Sequence, residues 1–411
     1  MIIGTGEYVS GIVLGSSSGS DKKLGVVALV LFDLRRRGFI DKILLAGTQG
    51  NKFPTIREHF RKNITGVYKD MDTTFESFPE DNVEREPNAY KRALDKLKKG
   101  DLVFIFTPDN VHFEMAKEAI SRGLHVMVTK PIVQKLEDHL TLLNLAKQND
   151  SLVAIEVHKR FDPIYSDCCQ RIKSCGNFSY FSSYMSQPKF QLHTFKAWAS
   201  FSDISYYLNS HHVDFHCWAM EDIARPESVY ATASSGIANR APYELNTEDT
   251  ITLLVRWRNI KDPSATGTAV YTASWVAPKA DVHSQQYFHY MGSSAEFRID
   301  QAHRGYLMNS DDSAPLSLNP LYMKYTPDND GYFSGQNGYG YKSIEEFVKC
   351  ASKLRTAEVK SPNSFDHLLA TVHKTAISTA ILHAGRMSLD CGKPITIQYQ
   401  EDGIPTQLSP Q

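Results

Sequence analysis

Over residues 1–155 the apolar positions gather in short runs separated by helical stretches. Leu124–Val128 is an apolar run that reads as a buried strand, and 41–46, 101–107 and 151–157 read as strands too. Residues 23–37, 54–64, 88–98, 110–122 and 134–149 carry helical patterning, with Gly123 closing the fourth. A very short strand opens the chain and runs into GTGEYVSG (4–11), followed by a Gly/Ser-rich loop over 15–23. Strands alternating with helices of about a dozen residues predict an α/β domain with a parallel, doubly wound sheet.

The pattern changes beyond Asp162. Strand-like runs fall at 178–186, 228–235, 249–257, 267–276 and 286–299, separated by turn-rich loops and a helical stretch near 205–220. This predicts an α+β domain with a large, mainly antiparallel sheet. A Gly/Tyr-rich loop, DNDGYFSGQNGYGY, precedes a helix at 342–354, and a last helix at 364–386 is long enough to pack back on the first domain. The expected division is 1–155 and 156–411, packed tightly, since no flexible linker or internal repeat appears.

Composition narrows the function classes. Lys and Arg total 45 against 46 Asp and Glu, a net charge of −1 over 411 residues, so no basic face for nucleic acid is expected. The longest apolar stretches fall well short of the ~20 residues needed to span a bilayer, and the start, MIIGTGEYVSG, lacks the features of a secretory signal. The six cysteines are scattered without a C-x-x-C pair, as in reduced thiols. A cytoplasmic protein is expected.

Candidate chemistry clusters at strand ends. Gly4 and Gly6, with Glu7 and Tyr8 beside them, would let the backbone turn against a pyrophosphate, although the third glycine, Gly11, comes two positions late. After the second strand stand Thr48, Asn51 and Lys52 with no carboxylate, which suits a 2′-phosphate, so NADP(H) is preferred and NAD(H) stays open. TPDNVHF (107–113) ends another strand with Thr107, Pro108 and Asp109; Asn110 can cap the next helix, and His112 lies in its first turn. Lys130 ends the apolar run 124–128 and is fixed from behind by Pro131. Thr107, Lys130 and HKRFDP (158–163) all fall at carboxyl ends of strands and are expected to line one crevice, where a lysine can hold a substrate oxygen. In SYYLNSHHVDFHCW (205–218), His211 and Asp214 share a helical face, as do His212 and His216. No metal is expected, because Val213 occupies the place of a zinc hydrolase's glutamate.

Taken in order, GTGEYVSG, TPDNVHFEMAKEAISRGLHVMVTKP, HKRFDP and HHVD resemble the glucose–fructose oxidoreductase / inositol dehydrogenase / MocA (Gfo/Idh/MocA) family over most of the chain. The resemblance implies an N-terminal Rossmann domain, a C-terminal domain with a large open sheet often used for oligomerisation, and a sugar or polyol substrate. By motif, Lys130 matches the lysine of the family's Glu-Lys-Pro and His211 the histidine of its H-x-x-D helix. Thr129 stands where the family has glutamate, and Tyr207 where many members have aspartate; Tyr207 is therefore a candidate proton donor, with Asp203 a partial substitute. Longer stretches, including KFPTIREH and SDISYYLNSHH, are similar to the fungal-type D-galacturonate reductases of the family.

The expected reaction is NAD(P)H-dependent reduction of the C1 aldehyde of a uronic acid, D-galacturonate to L-galactonate. Lys130, His211 and Tyr207 are the expected catalytic residues, and Lys159, Arg160, Asp162, Lys196, Trp198 and His212 the expected substrate contacts. Alternatives are a dehydrogenase of a neutral aldose or cyclitol, a non-catalytic dinucleotide-binding regulator, and a glycosidase using tightly bound NAD. A homodimer or tetramer through the C-terminal sheet is expected.

Overall fold

The computed structural model describes residues 1–411 except Leu14, Gly19, Asp21, Ala197 and Asp312, and only the main chain of Ser313. Two of the excepted residues, Gly19 and Asp21, belong to the Gly/Ser-rich loop expected over 15–23. The chain divides into two compact units: Met1–Thr129, Thr141–Phe161 and Pro320–His373 form the first, and Lys130–Leu140, Asp162–Asn319 and Lys374–Gln411 the second. The single cut expected at 155/156 is therefore replaced by a discontinuous division.

The first unit is built on six parallel strands: β1 Ile2–Ile3, β2 Leu44–Ala46, β3 Glu76–Phe78, β4 Leu102–Ile105, β5 His125–Thr129 and β6 Val153–Glu156. Their spatial order is β3-β2-β1-β4-β5-β6, so the order reverses at β1, as in the dinucleotide-binding doubly wound fold. The strands are short apolar runs because helices cover such sheets on both faces. The helix Val26–Arg36 is buried from Val26 to Leu34, including Asp33.

That carboxylate explains why residues 320–373 return to this unit. Asp33 accepts hydrogen bonds from Arg36 (2.7 Å), Tyr341 (2.6 Å) and Gln336 (3.2 Å), and Arg37 pairs with Glu345 at 2.7 Å. A buried carboxylate is tolerated only when paired and hydrogen-bonded, and the helix Tyr339–Arg355 supplies the partners. The segment after it covers the free edge of β6: Ile155 donates to Ala370 and Val372 to Val153, capping a row of main-chain groups that would otherwise stay open. The helix expected at 364–386 is thus interrupted here, and the last helix runs from Ala376 to Cys391.

The large sheet of the second unit has eight strands: β7 Phe178–Pro188, β8 Ala224–Ser234, β9 Thr250–Asn259, β10 Thr266–Ala277, β11 Gln285–Gly292, β12 Glu296–Asp300, β13 Ile395–Tyr399 and β14 Pro405–Pro410. They order as β12-β11-β7-β10-β9-β8-β13-β14, antiparallel except for the parallel pair β7/β10. The run expected as one strand over 286–299 turns back at Gly292–Ala295 to form the β11/β12 hairpin. Inward residues such as Trp257, Tyr271, Trp275 and Tyr290 share a core with the helices Pro163–Ile172, Ser210–Met220 and Ala376–Cys391. Outward positions alternate with them and leave Tyr230, Leu254 and Tyr287 exposed. Among the described residues no helix is long and apolar enough to cross a membrane.

Candidate functional site

In the first unit the site begins where β1 ends. Gly4 bonds Ala46 through its N–H at 2.8 Å and has φ +117; a Cβ there would lie 2.1 Å from the Phe106 carbonyl oxygen. Only glycine takes this path. Nothing lies within 4 Å of a Cβ built on Gly6, so the turn leaves open space beside its second glycine. A single helical turn, Glu7–Ser10, follows, and Gly25 brings the chain back to its end: a Cβ on Gly25 would be 2.3 Å from the Val9 carbonyl oxygen. Gly11 approaches Lys23 as closely, a Cβ there lying 2.2 Å from the Lys23 carbonyl oxygen.

Two of the expected cofactor residues on this turn are held by residues outside it. Glu7 accepts hydroxyls from Ser18 and, at 2.7 Å, from Ser20. Tyr8 stacks on Phe106 with centroids 5.6 Å apart and accepts the Tyr322 hydroxyl at 2.9 Å; burial pushes its phenol well above the usual range.

Thr48, Asn51 and Lys52 are exposed after β2. The main chain around them is tied to residues 80–86 by Gly50 to Val83 (2.9 Å) and Glu86 to Thr48 (2.8 Å). Carboxylates do come close in sequence to those ties, but Glu80 and Glu86 both pair with Arg92. The exposed Arg85 on the same segment is a second cation that local pattern did not suggest.

After β4, Thr107 is half-buried and Pro108 exposed, with Asp109 in a short 3₁₀ turn that precedes the helix His112–Ser121. Asn110 lies within this turn rather than at a side-chain cap. His112 is fully buried and bonds the Thr107 carbonyl oxygen at 2.8 Å. Its ring shapes the turn that presents Thr107 and Pro108. At the end of β6, Glu156 is buried and accepts the Ser343 hydroxyl at 3.1 Å, with His158 Nδ1 also at 3.1 Å. His158 packs on Tyr322 and Tyr339. Lys159 and Arg160 are both buried.

The second unit opens at Lys130, the residue after β5, through a cis peptide bond to Pro131. The Lys130 ammonium donates to the Tyr207 carbonyl oxygen and lies 4.2 Å from the centroid of the Tyr207 ring. Tyr207 belongs to a π-helical turn, Ser205–Asn209, in which the N–H of Ser210 reaches back five residues to Ser205; the α-helix Ser210–Met220 follows. The turn is wider there than in an α-helix. His211 and Asp214 are buried on the helix. Trp198 packs on Tyr207 (5.2 Å), and Lys196 is exposed nearby in sequence.

Three of the expected residues have structural partners here. Asp162 is fully buried, caps the helix Pro163–Ile172 by accepting the Ile164 N–H at 3.0 Å, and pairs with Arg304. His212 is enclosed in an aromatic core, 2.9 Å from the Tyr165 hydroxyl and stacked on its ring. Asp203 accepts the Tyr206 N–H at 2.8 Å and pairs with Arg386 at 3.5 Å, so it secures the π turn. A cleft of about 680 Å³ in this unit, lined by Asp203, Glu248 and Arg386 among others, includes neither Lys130 nor His211. The chemistry of Lys130 outweighs the size of that cleft as a guide. Among the described residues no group of three or more His, Cys, Asp or Glu side chains is placed to hold a metal ion.

A family model described as the oxidoreductase family with an NAD-binding Rossmann fold, Gfo/Idh/MocA, matches residues 42–157. Over 72 residues the chain is 32% identical to a scyllo-inositol 2-dehydrogenase (NAD(+)) of Bacillus subtilis, covering 18% of this chain and 21% of that protein. An uncharacterized oxidoreductase of Schizosaccharomyces pombe is 28% identical over 141 residues, 33% of this chain and 37% of its own. The chain spans between 17% and 37% of the length of six curated oxidoreductases it matches. Among solved structures, a myo-inositol 2-dehydrogenase from Lactobacillus plantarum superposes with a TM-score of 0.60 at 17% identity, over 90% of this chain and 96% of that one. The scyllo-inositol dehydrogenase from Lactobacillus casei with bound NAD(H) and scyllo-inositol gives 0.60 at 14% identity, over 96% and 97%.

Proposed function

We propose that this chain, of the Gfo/Idh/MocA oxidoreductase family by its Rossmann segment, is a nicotinamide-dependent dehydrogenase of a cyclitol or related neutral polyol. The observation that carries this is Lys130, an ammonium that follows directly on a core strand of a dinucleotide-type sheet. The glycine turn fits a dinucleotide: Gly4 tolerates no side chain and Gly6 leaves space beside it. Gly4, Gly6, Glu7, Tyr8, Thr107, Pro108, Asp109 and Lys130 would hold the cofactor, with His112 keeping the Thr107 turn in place. Bound nicotinamide supplies the centre that accepts or delivers hydride. The exposed Lys52, with Thr48 and Asn51, supports a 2′-phosphate and hence NADP(H), whereas the family description names NAD.

Lys130 would polarise the reacting oxygen and, with His211, hold or move its proton, an effect typically worth about 10²–10⁴-fold. Lys196 and Trp198, in the same unit as Lys130, are the proposed substrate contacts. A second reading, reduction of D-galacturonate, is favoured by Thr129: where the resemblance has glutamate, this chain lacks a charge that would repel an anionic substrate. Self-association through the open face of the mixed sheet, with its exposed Tyr230, Leu254 and Tyr287, completes the proposal.

Nicotinamide absorbance should be followed with NAD(H) and NADP(H) against scyllo-inositol, myo-inositol, a neutral aldose and D-galacturonate. Turnover is expected with a cyclitol, and Lys130→Ala should lower it by about 10²–10⁴-fold. Full turnover by that variant would remove Lys130 from the chemistry, and dinucleotide binding without turnover on any of the four would leave a regulator.

A further inference from the structure

We infer that Tyr207 is a positioning residue for Lys130, acting through its ring face and its carbonyl oxygen, and that its phenolic hydroxyl is not the proton donor. This rests on the role given to Lys130 above and adds to it how this chain holds that amine where the family has an aspartate.

The carbonyl oxygen and the ring face of the tyrosine, both of which a phenylalanine keeps, meet the ammonium. The ammonium donates to the Tyr207 carbonyl oxygen, and the same nitrogen stands 4.2 Å from the ring centroid. A cation within about 6 Å of a ring centroid is attracted by the negative face of the π system. Each contact favours the charged amine and fixes where it points.

The tyrosine is held in turn. Its ring packs against Phe195 at 5.3 Å and Trp198 at 5.2 Å, and Trp198 leans on the fully buried Trp275 at 6.2 Å. Its carbonyl also takes the Ser210 hydroxyl at 3.4 Å. The π-helical turn makes this arrangement: with Ser210 bonded five residues back to Ser205, the helix widens at Tyr207, and such local widening recurs where helices serve a site. The turn is secured from outside by Asp203, through the Tyr206 N–H and Arg386. An aspartate at 207 would offer the amine a charge; the tyrosine offers it a fixed place without one.

The two roles for Tyr207 separate on removal of the hydroxyl alone. The full-length protein, wild type, Tyr207→Phe and Tyr207→Leu, should be treated with acetic anhydride and the rate of acylation at Lys130 read by mass spectrometry. Tyr207→Phe is expected to match wild type within about twofold, while Tyr207→Leu raises the rate by about 2- to 30-fold, the range of one cation–π contact. Turnover on the cyclitol should follow the same order, with kcat and its pH profile kept by phenylalanine and kcat lost by leucine. A phenylalanine variant as impaired as the leucine one, in labelling or in turnover, would overturn the inference, and so would a leucine variant like wild type in both. Should the leucine variant fail to fold by circular dichroism, Tyr207→Met keeps the volume without the ring and takes its place. If even wild type turns over none of the four compounds, the proposed function falls while the labelling still decides the role of Tyr207.

Discussion

At Gly4 the chain passes so close to Phe106 that one added carbon would lie 2.1 Å from a carbonyl oxygen. At Lys130, by contrast, an ammonium is steadied by a ring and a carbonyl. The first region is shaped by backbone and by the side chains it forbids; the second by side chains packed on one another. Atoms added should therefore damage the glycine turn, and atoms removed should damage the Lys130 cluster. The Lys130→Ala and Tyr207→Leu variants test the second half of that contrast.

The largest effect is expected from an addition. Gly4→Ala places Cβ against the Phe106 carbonyl at a φ that L side chains rarely adopt. A loss of stability on the order of 5 kcal/mol and no dinucleotide binding by fluorescence titration are expected; a variant that binds normally would mean the turn is looser than its geometry. Next comes a removal. Arg304→Met leaves the fully buried Asp162 carboxylate without its guanidinium, and breaking a buried pair typically costs about 3–5 kcal/mol. Urea denaturation should show this loss, and the double variant with Asp162→Asn should recover part of it. If the single variant loses less than the double one, the pair is not what stabilises that corner.

The smallest addition is a proton. His125, on β5, accepts the Leu152 N–H through Nδ1 at 3.0 Å, and burial lowers its pKa from 6.5 to about 4. The unfolded chain therefore takes up the proton first as pH falls. Its contribution to stability is complete above about pH 6.5 and declines toward pH 4, by roughly 3–4 kcal/mol in all. His216, fully buried beside Tyr271 at 2.6 Å, is shifted downward in the same sense. Replacing His125 by Gln should flatten the acid limb of a stability–pH curve; an unchanged limb would assign the acid sensitivity elsewhere.

How much of this was legible in sequence depends on how local the determinant is. Continuous apolar runs marked β4, β5 and β6, and the alternation along 249–257 and 267–276 marked β9 and β10, because burial on two faces or one imposes those patterns directly. The three-residue β3 has too few positions to show a period. The return of 320–373 to the first unit hangs on Asp33 meeting Tyr341 and Gln336 across some 300 positions, and no local window contains that. At the site, Gly4 and Lys130 were visible because a turn glycine and a strand-end lysine have local reasons to be there. The π turn at 205–209, and the burial of Asp162 and His212, were not, since polar residues of the same kind mark both ligand contacts and cores.

The discontinuity of the first unit sets an order of events during synthesis. When residue 161 has left the ribosome, all six parallel strands exist, but Asp33 still lacks the tyrosine and glutamine that enclose it, and β6 still lacks its covering segment. Those arrive only with residues 336–372, a delay of roughly 10–40 s at about 5–20 residues per second. Until then the nascent half is a sheet with one bare edge and an unsheltered acid, and the long middle segment of the second unit, Asp162–Asn319, is made in the interval.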